Sequence, residues 1–209
     1  MRIYNNCYEL MAEAIRDIYE MGVTVHPNSM QNKDVKGNTE FSTKEIINYS
    51  YCLTSLNKVD SLFFFQDTKD WCDAELKERT NFSSGSVNPG IAWELRRNFW
   101  EEFRDPDGRL CYTYHDRIYA ALQKVLKEIE VNPDSRQLII SVWDRSDIHN
   151  IGGIKRVPCS IYYQVLVREG KVHLIYNQRS ADIVNHFGND VYLAFKLKDF
   201  IAQFSSLEP

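Results

Sequence analysis

Residues 160–167 and 172–177 read SIYYQVLV and VHLIYN, and the four residues between them read REGK. Both runs are rich in β-branched and aromatic residues, which are the types that strands favour. The connection at 168–171 is short and contains a glycine, as tight hairpin turns commonly do. The stretch therefore predicts a strand followed by a second strand in a β-hairpin.

Further elements are predicted on both sides of this hairpin. Residues 138–143 form another apolar, β-branched run, which predicts an additional strand. Apolar residues recur at helical spacing within three segments, 7–18, 118–129 and 191–204. The first helical pattern stops at Gly22, which can take the left-handed conformation that ends helices, and the second stops at Asn132-Pro133. Between the first two segments, the polar residues 23–43 predict a long surface loop or a poor strand.

These patterns predict a single domain over residues 1–209 of the α/β (α+β) class, with helices flanking a mixed or largely antiparallel sheet. Hydrophobic residues make up 44% of the chain, which is enough for one sizeable core. The net charge of -4, with no run rich in lysine or arginine, argues against binding to nucleic-acid phosphates. No apolar stretch reaches the roughly 18 residues of a membrane span, and the N-terminus does not resemble a signal peptide. We therefore expect a cytoplasmic protein with neither a nucleic-acid nor a membrane partner.

The chain has five cysteines, at positions 7, 52, 72, 111 and 159. Their number is odd and no pair has CxxC spacing, so neither a disulfide framework nor a zinc site is predicted. The histidines show no ligand spacing either. We expect reduced thiols and no metal.

Two short motifs flank the predicted hairpin. Residues 156–159 read RVPC before its first strand, and residues 177–182 read NQRSAD after its second. Together they resemble the signature of the thymidylate synthase superfamily, a Pro-Cys before one strand and a Gln-Arg-Ser-x-Asp after the next. Residues 132–136, NPDSR, are similar to the phosphate motif that the same family contributes to its partner subunit. The resemblance extends over about residues 70–209, and it implies a thymidylate synthase-like fold.

The resemblance implies transfer of a one-carbon unit from 5,10-methylenetetrahydrofolate to C5 of a pyrimidine nucleoside monophosphate. Pyrimidine C5 is a poor nucleophile, but a thiolate that adds at C6 makes C5 enolate- or enamine-like and can later leave by elimination. Cys159 is the predicted nucleophile. The alternative for an isolated cysteine is a small buried hydrophobe.

The same resemblance assigns the residues that bind the nucleotide. Arg179 and Ser180 would hold the phosphate, and Gln178 belongs to the same substrate-binding motif. Arg136 would reach the phosphate across the interface of a homodimer, and the arginines would make the surroundings of the cysteine electropositive. The family usually has a second arginine where this chain has Gln137, and the family's N-terminal phosphate arginine has no counterpart that we can identify.

Catalytic and folate-binding residues follow by position. Glu75 falls where the family carries its general acid/base glutamate, although it could be a solvated helix residue. Trp100 and Tyr114 are spaced like the family's folate-side tryptophan and its catalytic tyrosine, although either could belong to the core and Tyr112 is a rival for the tyrosine. Asp182 matches the aspartate that anchors the pteridine, and an acceptor-only carboxylate suits the N–H donors of that ring.

One position distinguishes the possible bases. Asp190, which follows Asn189, stands where thymidylate synthases carry an asparagine that reads uracil. Cytosine offers an N4 donor and an N3 acceptor, so a carboxyl group that accepts from N4 and shares a proton with N3 fits it. The Asn-Asp pair resembles that of phage-type deoxycytidylate hydroxymethylases, and Ser160, where synthases have a histidine, departs in the same direction. The alternative is that Asp190 caps a helix starting near Val191.

We therefore predict conversion of dCMP to 5-hydroxymethyl-dCMP, with a dUMP-methylating synthase as the first alternative. A non-catalytic nucleotide-binding relative is the second, because the sequence ends at Pro209, before the family's His-x-Tyr pair and its C-terminal closing segment. His186 replaces a glycine near the folate side. The retention of Cys159, Arg179 and Asp182 together counts against a pure binding protein.

Overall fold

The computed structural model describes residues 1–30, 33–82, 87–152 and 155–209. The α-helices in these ranges are α1 (Cys7–Met21), α2 (Lys69–Arg79), α3 (Ile91–Leu95), α4 (Arg97–Trp100), α5 (Tyr114–Val131) and α6 (Phe187–Phe204). The strands are β1 (Arg2–Tyr4), β2 (Val23–Val25), β3 (Ser29–Met30), β4 (Lys33–Asp34), β5 (Thr43–Glu45), β6 (Tyr51–Leu53), β7 (Ile139–Ser141), β8 (Ser160–Arg168) and β9 (Lys171–Gln178). Among the described residues, no helix is long and apolar enough to span a membrane.

The main sheet is antiparallel with the order β7-β8-β9, and a separate parallel pair joins β1 to β6. The predicted hairpin is confirmed, because β8 and β9 pair along their length from Ser160↔Gln178 to Arg168↔Lys171. Its turn residues Glu169 and Gly170 have φ of 53° and 75°, as a two-residue turn of the right twist requires. The α+β class predicted from the sequence is therefore confirmed.

Helix α5 covers one face of this sheet. It begins directly after Thr113, whose side chain forms a capping box with Asp116, and it ends just before Asn132, as the Asn-Pro sequence predicts. Its apolar face joins the sheet and α6 in one core, whose fully buried members include Ile118, Leu122, Ile140, Val165 and Ile201. Burial of these side chains fixes the ends of β8 and β9 relative to α6.

Helix α1 ends where the sequence predicts, but for a different reason. Gly22 has φ of -65°, so the left-handed conformation expected there is wrong. A Cβ at this position would lie 2.3 Å from the carbonyl oxygen of Ile18. The glycine is required by close backbone contact as the chain leaves the helix.

The polar segment 23–43 contains short strands rather than loop alone. β2 pairs with β5 in antiparallel register from Val23↔Glu45 to Val25↔Thr43, and β3 pairs with β4. Residues 31–32 of the predicted loop lie outside the described residues. The segment thus forms small two-stranded pieces away from the main sheet.

Helix α6 starts earlier than the sequence pattern indicates, at Phe187 instead of near Val191. Its first turn packs against a short 3-10 helix at Val59–Phe63, where a Cβ on Gly188 would lie 1.8 Å from the carbonyl oxygen of Leu62. Such an approach is possible only for glycine. Asp190 is therefore inside the first turn of the helix.

We expect Gly188→Ala to destabilise the protein by about 3 kcal/mol, because the added methyl group must push backbone apart in a packed region. Urea unfolding followed by circular dichroism measures this loss. Gly37→Ala is the control, since no atom lies within 4 Å of a Cβ there and only the strain of its φ of 77° is added. An unchanged unfolding midpoint for Gly188→Ala would contradict this packing.

Candidate active site

The hairpin brings the two sequence motifs together. Cys159 immediately precedes β8 and Arg179 immediately follows β9, and the backbone N–H of Arg179 donates to the carbonyl of Cys159 at 2.9 Å. The strand pairing shifts register between Ser160 and Tyr162, which marks an irregularity next to the cysteine. A β-bulge at this place can aim the neighbouring side chain out of the sheet.

Two donors face the sulfur of Cys159. The guanidinium of Arg179 lies 3.8 Å from Sγ through Nη2, and the hydroxyl of Ser180 lies 3.6 Å from it. Arg179 is held in place by the carbonyls of Pro158 at 2.9 Å and Val157 at 3.2 Å. Cys159 is half-buried, unlike the buried Cys7 and Cys72, so its sulfur is both reachable and close to positive charge.

Glu75 lies on α2 in a mostly buried ion pair. Its carboxylate accepts from Nε of Arg79 at 2.8 Å, and only 4% of the Arg79 side chain is exposed. The Arg79 guanidinium also lies 3.9 Å from the ring centre of Tyr114 and donates to the hydroxyl of Tyr163 at 3.4 Å. Glu75 is thus held by a buried cation, and in this it differs from a solvated surface glutamate.

A cluster of hydroxyl groups connects this pair to the position after the cysteine. The hydroxyl of Tyr114 shares a hydrogen bond of 3.1 Å with Ser160, and Ser160 shares one of 2.5 Å with Tyr176. Burial raises the pKa of both Tyr114 and Tyr176, so these hydroxyls stay protonated at neutral pH. The hydroxyl of Tyr114 is therefore already hydrogen-bonded, to Ser160.

Tyr112, the rival for the tyrosine role, has a different environment. Only 4% of the residue is exposed, and its hydroxyl has no hydrogen-bond partner among the described residues. Burial raises the pKa of Tyr112 to about 12, while the nearby Arg156 charge lowers it. Tyr112 therefore presents an unsatisfied donor, which Tyr114 does not.

Asp190 accepts a hydrogen bond of 2.7 Å from the side-chain amide of Gln178. Burial raises the pKa of this carboxyl to about 6, against the lowering effects of Gln178 and the charges of Arg79, Arg156 and Arg96. The alternative role as a helix cap is wrong, since the N–H of Asp190 already donates to the carbonyl of His186 within α6. The carboxyl group faces β9 and is poised between its neutral and ionised forms.

The side chains of two predicted site residues bond to other partners. The amide of Asn189 contacts Thr68 at 2.5 Å and Cys72 at 3.5 Å, on the side of α2. The carboxylate of Asp182 accepts from the backbone N–H groups of Val184 and Asn185, both at 3.0 Å, and so organises the turn into α6.

Arg136 is exposed in the turn before β7. Its carbonyl accepts from the amide of Gln164 at 3.2 Å. No described residue forms an ion pair with its guanidinium. Arg136 is thus the one predicted phosphate ligand that stands apart from Cys159 in the single chain.

An arginine not predicted as a site residue covers Trp100. The guanidinium of Arg156 lies 3.8 Å from the ring centre of Trp100 and 5.2 Å from that of Tyr112. The ring of His186 stacks on Trp100 at 5.7 Å, and burial lowers the pKa of His186 to about 4, so it is neutral. The sequence signal was a cation three residues before Cys159, but nothing in the sequence showed which aromatic ring it contacts.

Arg96 was also missed. It is 8% exposed, contacts the rings of Trp71 and Phe99 at 4.8 Å and 4.6 Å, and donates to Gln66 at 3.0 Å.

Among the described ranges, no group of three or more histidine, cysteine, aspartate or glutamate side chains is arranged to hold a metal ion. The site therefore consists of a thiol, two carboxyl groups and several arginines stacked on aromatic rings.

Comparison with known proteins agrees with this arrangement. The thymidylate synthase family model matches residues 12–209. A solved structure, thermostable thymidylate synthase A from Bacillus subtilis, superimposes with a TM-score of 0.68 at 18% sequence identity, covering 98% of this chain and 75% of that one. At that identity the likeness establishes the fold. Because the family match extends over nearly the whole chain, the protein belongs to the thymidylate synthase family.

Proposed function

We propose that this family member transfers a one-carbon unit from 5,10-methylenetetrahydrofolate to C5 of dCMP and releases 5-hydroxymethyl-dCMP. The hydrogen-bonded pair of Gln178 and Asp190 is the observation that favours cytosine as the base. A carboxyl group with a pKa of about 6 can donate a proton to N3 while its other oxygen accepts from N4. An asparagine amide at the same place would present the pattern that matches uracil.

Cys159 begins the reaction. Its thiolate forms a bond to C6, and the electron pair of the C5–C6 double bond becomes available at C5 for attack on the methylene carbon. The donors Arg179 and Ser180, at 3.8 Å and 3.6 Å from the sulfur, stabilise negative charge there before addition and after elimination. The same two residues are the proposed ligands of the nucleotide phosphate.

Glu75 and Tyr114 are the proposed proton-transfer residues. The C5 proton must leave before the exocyclic carbon is released from the folate nitrogen, and Glu75 receives it through water. Water then adds to the exocyclic carbon, Cys159 leaves from C6, and the products are the hydroxymethyl nucleotide and tetrahydrofolate. The ion pair with Arg79 at 2.8 Å fixes the Glu75 carboxylate for this role.

The residues near Trp100 fit a reduced folate as co-substrate. Trp100 is only 9% exposed, with Arg156 over its ring and His186 stacked on it, so the pteridine is placed beside His186. The exposed carboxylate of Asp182 has acceptor capacity for ring N–H groups. A hydride from the folate would instead give a methyl group, which is the outcome of the alternative, dUMP-methylating function.

Mass spectrometry of the product tests this function. Purified protein is incubated with 5,10-methylenetetrahydrofolate and an equal mixture of dCMP and dUMP. We expect dCMP to gain CH2O while dUMP is unchanged. A product in which dUMP gains CH2 would contradict the proposal and establish the methylating alternative, and the absence of any product would favour a non-catalytic nucleotide-binding relative.

A homodimer is the second part of the proposal. Ile139, Gln164 and Ile175 form a row across the outer face of the sheet, and the two isoleucines are 41% and 46% exposed. An exposed apolar sheet face is a common surface for self-association. Arg136 adjoins this row through its bond to Gln164, so pairing of two such faces would carry its guanidinium towards the partner.

We expect Arg136 to act in trans. Cys159→Ala and Arg136→Gln variants should each be nearly inactive alone, but mixing them after partial unfolding should restore activity, because hybrid dimers contain one site with both native residues. Tritium release from C5-labelled dCMP measures the recovery, and an affinity tag on one of the two variants measures the fraction of hybrid dimers. No recovery despite proven exchange would place Arg136 in its own subunit's site.

A further inference from the structure

A cavity of about 310 Å³ lies between the start of α5 and the segment that leads to Cys159. Its outer lining consists of exposed residues, Cys111, Ser146 and His149. Its inner lining contains Tyr112, which is buried, and Arg156. The Arg156 guanidinium lies 5.2 Å from the ring centre of Tyr112 and 3.8 Å from that of Trp100, so it stands between the cavity and Trp100. The cavity therefore connects solvent with the interior of the active site.

The inner end of this cavity is close to the reacting carbon. Arg156 precedes Cys159 by only three residues, and the charges of both Arg156 and Tyr112 interact with that of the Cys159 sulfur. In the proposed reaction this sulfur is bonded to C6, and the exocyclic carbon is attached to the adjacent C5. Tyr112 and Arg156 thus lie on the side from which a small molecule in the cavity reaches the exocyclic carbon.

The polar groups at the inner end are suited to hold water. The hydroxyl of Tyr112 is buried and bonds to no described residue, although buried polar groups are nearly always satisfied by protein or by ordered water. Arg156 forms no ion pair with a described carboxylate, and its faces rest on aromatic rings, so its N–H groups are available as donors. The volume of the cavity accommodates several waters, each of which takes about 30 Å³ in the liquid.

We infer that this cavity supplies the water that captures the exocyclic carbon, and that Tyr112 and Arg156 thereby favour a hydroxymethyl over a methyl product. The inference rests on the proposed function. After tetrahydrofolate has left, the water oxygen bonds to the exocyclic carbon, the electron pair of the exocyclic double bond restores the C5–C6 double bond, and the electron pair of the C6–S bond stays on sulfur. The proton that water loses equals the one that the thiolate regains. Tyr112 and Arg156 are positioning residues, because they act through the water that they hold.

The amount of 5-hydroxymethyl-dCMP formed per tritium released from C5-labelled dCMP tests this inference. Tritium leaves before water adds, so the ratio reports the fate of the intermediate and is independent of a general loss of activity. We expect Arg156→Met, which replaces the cation by an apolar chain, and Tyr112→Phe, which removes only the hydroxyl, each to lower the ratio about fivefold, as the loss of one hydrogen bond to the water predicts. The intermediate then returns to the folate nitrogen or accepts hydride, and mass spectrometry detects the second outcome as 5-methyl-dCMP and dihydrofolate.

Arg97→Met is the matched control, because Arg97 also stacks on a tryptophan, Trp93 at 5.4 Å, but is 59% exposed and lies outside the cavity lining. Its ratio should equal that of wild type. A ratio that falls in neither Arg156→Met nor Tyr112→Phe would overturn the inference and leave the proposed function standing. Loss of tritium release in both variants would also overturn it, since both residues would then act before water adds; if one variant still releases tritium, its ratio decides. Wild type that forms only a methyl product, or no product, would overturn the proposed function and the inference with it.

Discussion

Cys159→Ala is expected to reduce one-carbon transfer by at least about 10⁴-fold, because no other group can form and later break the bond to C6. The variant should also fail to form a covalent complex with a 5-fluoropyrimidine nucleotide in the presence of 5,10-methylenetetrahydrofolate. Intact-protein mass spectrometry measures that complex directly. Affinity for the unmodified nucleotide should change little, since Arg179 and Ser180 remain.

Cys111→Ala provides the control for this result. Cys111 is the exposed cysteine near the same pocket, and its thiol donates a weak hydrogen bond of 3.8 Å to the carbonyl of Arg156. Its replacement should leave both the covalent complex and the turnover intact. A covalent complex that persists in Cys159→Ala and disappears in Cys111→Ala would refute the assignment of the nucleophile.

Asp190→Asn is expected to exchange the base preference. The amide has no proton that it can transfer to N3 of cytosine as the carboxyl group can, and the loss of a charge-assisted contact in a dry pocket costs several kcal/mol, so kcat/KM for dCMP should fall by about 10²–10³-fold. The same change should raise kcat/KM for dUMP. Asp199→Asn, on the same helix but beside Lys196 and Lys198, is the control and should leave the preference unchanged.

Asp190→Asn is also expected to change how the free energy of unfolding depends on pH. Burial raises the pKa of Asp190 from 3.8 to about 6, so the folded protein holds this proton more tightly than the unfolded chain does. The contribution of the group to stability is therefore complete below about pH 4 and is lost as the pH rises through 6. Between pH 4 and 7, wild type should lose on the order of 2–3 kcal/mol relative to Asp190→Asn. Parallel urea titrations of the two proteins across that range measure the difference, and parallel pH curves would contradict the burial of a titrating carboxyl.

Local patterns in the sequence were enough to predict the hairpin and the two motifs that it brings together. Strand pairing between neighbouring segments requires little loop closure, so the meeting of the motifs around Cys159 and Arg179 follows from the predicted turn. Helix α5 was equally predictable, because its period and its Asn-Pro end are local signals. The start of α6 was not, since its first turn is stabilised by backbone contact with the distant Leu62.

The orientation of individual side chains depends on tertiary contacts that the sequence does not encode locally. Asn189 and Asp190 are adjacent, but successive residues on a helix point about 100° apart, so one amide faces α2 while the next carboxyl faces β9. Arg79 and Arg156 were missed for the same reason. Their aromatic partners, Tyr114 and Trp100, lie on other elements of the chain.

Tritium release from C5-labelled dCMP and, in parallel, C5-labelled dUMP, with 5,10-methylenetetrahydrofolate present, tests most directly whether Cys159 activates C5 of a cytosine nucleotide. We predict release from dCMP at a rate well above that from dUMP, with none from either in Cys159→Ala. Faster release from dUMP would contradict the reading of cytosine by Asp190. Release that is absent with both nucleotides in the folded wild-type protein would contradict one-carbon transfer by this chain altogether.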